Sequence, residues 1–108
     1  MAGVVQSVPL EDRELLAGNV RVPAHAVYRA FPSETVVLNL NTGRYHGLNA
    51  TAGRMLELLD AAPCVREAVG QIAREYRREL LGVRSDVCGL CRDLLERGLL
   101  EFDGPPGA

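Results

Sequence analysis

The sequence predicts an α+β domain, a three-stranded antiparallel sheet followed by three helices. Three observations carry this. β-branched and aliphatic residues crowd the stretch before Leu48, apolar residues recur at intervals of three and four after Asn49, and turn-forming residues punctuate the chain between these segments. The chain has 108 residues, 47% of them hydrophobic and 24% charged, which suits one small folded domain and argues against a disordered or low-complexity chain. A domain of this size buries only about two thirds of its unfolded surface, so one small core must suffice.

The elements follow in order. Residues 1–19 are weakly patterned; Val8 to Leu16 has room for a short helical turn, and the whole segment reads as an N-terminal arm. Ala26 to Phe31 is a short strand closed by Pro32 and Ser33. Thr35 to Leu40 is a second, rich in β-branched residues. Asn41-Thr42-Gly43 reads as a three-residue hairpin loop, and Arg44 to Leu48 returns as the third strand. With Leu40 and Arg44 bracketing the loop, Leu38 sits opposite His46 and Val36 opposite Leu48. These four share one face, and Val37, Asn39 and Tyr45 take the other; a one-residue slip inverts this assignment.

Asn49 caps the first long helix, with Ala52, Met55, Leu56 and Leu59 on one stripe. After Pro63 a second helix runs from about Val65, placing Val65, Ala68, Val69, Ile72, Ala73 and Tyr76 inward, with Gly82 as its stop. Ser85 caps a third helix whose stripe is Val87, Leu90, Cys91, Leu94 and Leu95, and Gly98 lies just past its end. Leu99, Leu100 and Phe102 fold back on the core, and residues 103–108 form a disordered tail. A consecutive meander needs its apolar face covered, and three amphipathic helices cover it. The expected architecture is winged helix-turn-helix-like.

Composition narrows the function. Net charge is −2, and all 12 basic residues are arginines interspersed with 14 acids. No basic run exceeds Arg77-Arg78, a poor footprint for phosphate neutralisation. The N-terminus lacks a signal-peptide pattern, no stretch is long and apolar enough for a membrane helix, and the three cysteines read as reduced thiols of a cytoplasmic protein. No nucleophile elbow, zinc-binding His-Glu-x-x-His, phosphate loop or dinucleotide fingerprint is present, so the chain is not expected to be an enzyme, nor to need a cofactor or a metal.

Two features invite a sharper reading. Cys88-Gly-Leu-Cys91 has C-x-x-C spacing, but it lacks further ligands at metal spacing and the strand-first setting of a thioredoxin. At i and i+3 on an apolar helix face, the two cysteines read first as small hydrophobes. Arg44 to Leu48 would be an edge strand with no Pro and no Lys to blunt it, open to strand addition by an extended peptide.

The residues Val36 to Gly53, with a Thr-Gly turn followed by Tyr45-His46-Gly47-Leu48-Asn49, resemble the signature of PqqD-like proteins. The resemblance continues through Leu58-Leu59-Asp60, Val65 to Val69, Glu75-Tyr76 and the Leu94 to Leu100 ending, and so covers roughly residues 22 to 102. It implies a precursor-peptide recognition element of ribosomally made, modified peptides, with the domain at residues 20–102. Such domains bind a leader peptide as an extra antiparallel strand, between their third strand and third helix, and present it to a leader peptidase or other modifying enzyme.

Carried onto this chain, the receiving edge is Arg44, Tyr45, His46, Gly47 and Leu48, with His46 and Leu48 toward the helical layer. The facing wall is Cys88, Cys91 and Leu95, with Arg84 and Arg92 available to acidic leader residues. Two features depart from the family pattern: Cys64 stands where Ser or Thr would cap the second helix, and residues 77–84 form a basic, apolar link in place of an acidic one. A lasso-peptide leader, handed to a separate peptidase, is the favoured partner; the alternative is delivery to a radical enzyme in quinone-cofactor biosynthesis. Rival classes are a winged-helix DNA-binding regulator and a cysteine-based redox or metal domain.

Overall fold

Every second residue of the strand Glu34–Asn39 is buried: Thr35, Val37 and Asn39 turn inward while Glu34, Val36 and Leu38 turn out. That alternation fixes the orientation of a three-stranded antiparallel sheet in the computed structural model, which describes residues 11–104. The sheet is β2 (Ala26–Ala30), β3 (Glu34–Asn39) and β4 (Arg44–Asn49), in that spatial order. Three helices follow: α2 (Ala50–Ala61), α3 (Val65–Tyr76) and α4 (Leu80–Glu96). Ahead of the sheet lie α1 (Asp12–Ala17) and β1 (Asn19–Arg21); the chain closes with β5 (Glu101–Gly104), paired antiparallel with β1 in a second, two-stranded sheet. The fold is α+β, as the sequence predicts. No helix among the described residues is long and apolar enough to cross a membrane.

The hairpin register is one residue off the expectation. Leu38 lies opposite Tyr45, Val37 opposite His46 and Thr35 opposite Leu48, so Asn39 and Arg44 bracket a four-residue loop. The Asn39 side chain explains the extra residue. Its Oδ1 accepts the Asn41 amide at 2.9 Å, and its backbone carbonyl accepts the Gly43 amide at 2.8 Å, which draws Leu40 into the loop and out of its pairing with Arg44. Gly43 takes φ +73°, a conformation that favours glycine. His46 and Leu48 still face the helices, but they share that side with Val37 and Asn39 instead of Val36 and Leu38.

Helix α2 begins where expected, with the Asn49 side chain accepting the Ala52 amide at 2.8 Å. Its inner face meets the sheet so closely at Gly53 that an added Cβ would lie 2.1 Å from Thr35 Oγ1. Tyr28 crosses from β2 to donate its hydroxyl to Asp60 Oδ2 at 2.9 Å. Helix α3 starts at Cys64 without a side-chain cap and ends at Arg77, not at Gly82. Arg77 adopts the left-handed conformation (φ 51°), and the Arg78 amide returns to the Ala73 carbonyl at 3.1 Å, so an arginine does what a glycine usually does. Gly82 and Ser85 therefore lie inside α4, whose N-cap is Glu79.

The N-terminal expectation is corrected most. Leu15 and Leu16 of α1 belong to the same buried core as Val37, Leu59, Ile72 and Leu94, so residues placed in an arm help to build the domain. Gly18 passes against Phe102 so tightly that a Cβ would approach its ring to 2.1 Å, and the Val65 amide donates to the Gly18 carbonyl at 3.0 Å. Leu99 and Leu100 are buried as expected, and Phe102 packs against the core. Asp103 and Gly104, expected in the tail, lie in β5; residues 105–108, and Val8 to Leu10 of the expected helical turn, fall outside the described residues.

Candidate functional site

In an antiparallel strand the N–H and C=O of one residue point to the same side, and successive residues alternate sides. The Phe31 amide donates to the Glu34 carbonyl and the Leu40 amide to the His25 carbonyl, so even-numbered residues of β3 bond toward β2. Thr35, Val37 and Asn39 then bond toward β4, and their partners there are Leu48, His46 and Arg44. Tyr45, Gly47 and Asn49 are left with backbone groups directed at the free edge. The opposite edge is already partly used, since the Ala26 amide folds back onto the Pro23 carbonyl at 3.0 Å.

Beside the β4 edge runs α4, which does not pack along the strand. The wall it presents is Asp86, Leu90, Asp93 and Arg97, one stripe at helical spacing. Asp86 and Leu90 share a cavity of about 220 Å³ with Asn49, Thr51, Ala52, Met55 and Arg78. Farther along, Arg97 places its guanidinium 3.5 Å from His46 Nδ1 and bonds Asp93 through Nε at 3.1 Å. Arg78 pairs with Asp86 at 2.8 Å. The result is a groove of mixed lining, with Ala52, Met55 and Leu90 as its apolar part and two ion pairs along its helical side.

The expected site residues divide accordingly. Arg44, Tyr45, His46 and Gly47 are on the edge strand and reachable; Tyr45 is 71% exposed on the outer face and His46 half-buried on the inner one. Leu48 is buried in the core and offers its backbone to β3. Cys88 and Cys91 are fully buried, so neither thiol lines a surface groove; both are core residues, the reading the helical spacing first suggested. Arg92 is engaged with Asp12 of α1, and Leu95 packs against the core. Arg84 is exposed on the stripe it shares with Cys88 and Arg92. The expected wall thus lies on the α1 side of α4; the side toward β4 carries Asp86, Leu90, Asp93 and Arg97, of which the sequence expectation placed Leu90 alone, on the core stripe. Their i, i+4, i+7, i+11 spacing puts them on one face of α4, a signal carried by the sequence, but three of the four are charged and so fall outside an apolar stripe.

Burial pushes the Cys91 thiol up to about 12, and burial together with the Asp12 carboxylate raises Cys88 as well. Both stay protonated at neutral pH, the opposite of an activated thiolate or a metal ligand. Among the described residues no three His, Cys, Asp or Glu side chains cluster to hold a metal ion.

The fold and site together define a small α+β domain with an open sheet edge flanked by a helix. The chain belongs to the PqqD family: the family described as coenzyme PQQ synthesis protein D matches residues 34–100. Its structure is similar to that of TbiB1 in complex with the TbiA(beta) leader peptide, with 32% identity and a TM-score of 0.69 over 75% of this chain and 94% of that one. It is also similar to a lasso peptide synthetase B1 complexed with the leader peptide, at 22% identity and a TM-score of 0.69, covering 77% of this chain and 98% of that one. The second likeness establishes fold alone. No curated protein sequence matches this chain.

Proposed function

We propose that this chain is a leader-recognition protein. It takes the leader of a ribosomally made precursor peptide as an additional antiparallel strand on β4 and delivers it to a separate leader peptidase or modifying enzyme. The observation that carries this is the pair of edge residues Tyr45 and Gly47, whose unshared backbone groups sit beside the groove at α4. Main-chain bonds along such an edge give affinity, and alternate side-chain pockets give selectivity. The likeness to TbiB1 in complex with a leader peptide supports leader binding, and the shared fold of the lasso peptide synthetase B1 complex favours the lasso pathway over delivery to a radical enzyme in quinone-cofactor synthesis. In this reading the helices α2 to α4 and the sheet form a winged helix-turn-helix-like unit, recognition takes place in the cytoplasm, and chemistry belongs to the partner.

The test is titration of a labelled synthetic leader peptide, first the TbiA(beta) leader bound by the similar TbiB1 and then the N-terminal half of any short reading frame found beside this gene. Binding is expected at one-to-one stoichiometry and survives removal of the core half. Gly47→Pro deletes an N–H aimed at the leader and should weaken binding at least tenfold with little change in Tm. His46→Pro instead deletes a ladder bond to Val37 and should lower Tm. Unaltered affinity in a folded Gly47→Pro variant defeats strand addition at this edge.

A further inference from the structure

The outer face of β4 has a gap at Gly47. An added Cβ there would meet one atom within 4 Å, Glu34 Oε1 at 3.9 Å. Glu34 belongs to β3, one strand in from the edge, and its side chain leans over the glycine. Its carboxylate makes no hydrogen bond or ion pair among the described residues. Arg29, on the same face, is stacked over Phe31 with its guanidinium carbon 5.6 Å from the ring centre. Two residues along β4, Tyr45 presents its ring on that same outer side.

We propose that Glu34 selects a cationic side chain, Lys or Arg, at the leader position opposite Gly47. This rests on the strand-addition reading above. The backbone of Gly47 faces the edge, so the leader residue bonded to it points its side chain to the outer face, beside Glu34 and Tyr45. Neighbouring strands lie about 4.8 Å apart, which puts β3 and the added strand roughly 10 Å from each other across β4. With any larger residue at position 47 that space would be filled. With glycine, a glutamate from one side and a long basic side chain from the other meet over the intervening strand. The Tyr45 ring then flanks the aliphatic stem and the charged head of the incoming residue. A leader residue opposite His46 would instead point into the groove, toward the Arg97–Asp93 ion pair.

The test is a positional scan of the same labelled leader peptide, placing Lys and then Glu at each position, against the wild type, Glu34→Gln and Glu34→Lys. The wild type should prefer Lys over Glu at one position by roughly two- to fivefold, the range of an exposed ion pair. Glu34→Gln should abolish that preference and Glu34→Lys reverse it, at that position alone, with the coupling shrinking as salt rises. Leader binding with no position coupled to Glu34 overturns the proposal while leaving strand addition intact. Absence of binding by every peptide to folded protein overturns both.

Discussion

Single residues here are decided by what lies one van der Waals radius away. Replacing a helical glycine by alanine ordinarily stabilises by about 0.5–1 kcal/mol through backbone entropy. At Gly53 the sign reverses, because the new methyl would overlap the buried Thr35 hydroxyl. Gly53→Ala should cost about 1–3 kcal/mol, the usual penalty of overpacking, read as a fall in the urea midpoint. Two tightly held protons, one half-buried and one buried, make a second prediction. Burial and the Asp60 hydrogen bond push Tyr28 up to about 12 from 10.0, and burial pushes Cys91 up to about 12 from 9.0. Both groups bind their protons more tightly in the folded state. The stability they carry is therefore complete below about pH 9 and is lost as pH climbs toward about 12. Thermal melts across that range should show the loss, with Tyr28→Phe flattening its upper part and Cys91→Ala its lower part. An unchanged slope in the double variant would remove these two groups as its source.

At the scale of elements, the choice of which helix face meets which neighbour governs the site. Helix α4 has one buried stripe, Val83, Val87, Cys91 and Leu94, and flanking stripes on either side of it. Spacing identifies the buried stripe but is symmetric about it. Contact with α1 takes the flank containing Cys88 and Arg92, which leaves the flank of Leu90 and Arg97 beside β4. Helix α1 was hard to read because six residues hold too few turns for a periodic signal, and its two leucines are adjacent instead of spaced. Its importance is testable. Leu15 is fully buried, so Leu15→Ala should cost about 2–5 kcal/mol in chemical unfolding, whereas an arm that merely lay on the surface would show almost nothing. The β4 strand, by contrast, was legible to within one residue in its extent, since Asn49 is both its last residue and the cap of α2, and its register slipped by one. The short side-chain bond from Asn39 that lengthens the loop is a local feature, but its choice over the three-residue loop depends on burying Val37 and Thr35 together.

The whole molecule explains why a DNA-binding reading fares poorly despite the helical layout. The open flank of α4 carries Asp86 and Asp93, each paired with an arginine, and the net charge is negative. No retardation of duplex DNA is expected with micromolar protein at about 0.15 M salt, where nonspecific binding would require a basic surface. Composition, hydrophobic spacing and turn residues by themselves determined the α+β class, the three sheet strands, the three long helices and the edge strand that carries the proposed function. These are local or periodic properties, written in neighbouring residues. The packing of α1 into the core, the pairing of β1 with β5, the sealing of Cys88 and Cys91, and the meeting of Glu34 with the gap over Gly47 were decided only by the tertiary structure. Each joins residues far apart in sequence or on different strands, and close packing, which no single segment encodes, selects among faces that the pattern leaves equivalent.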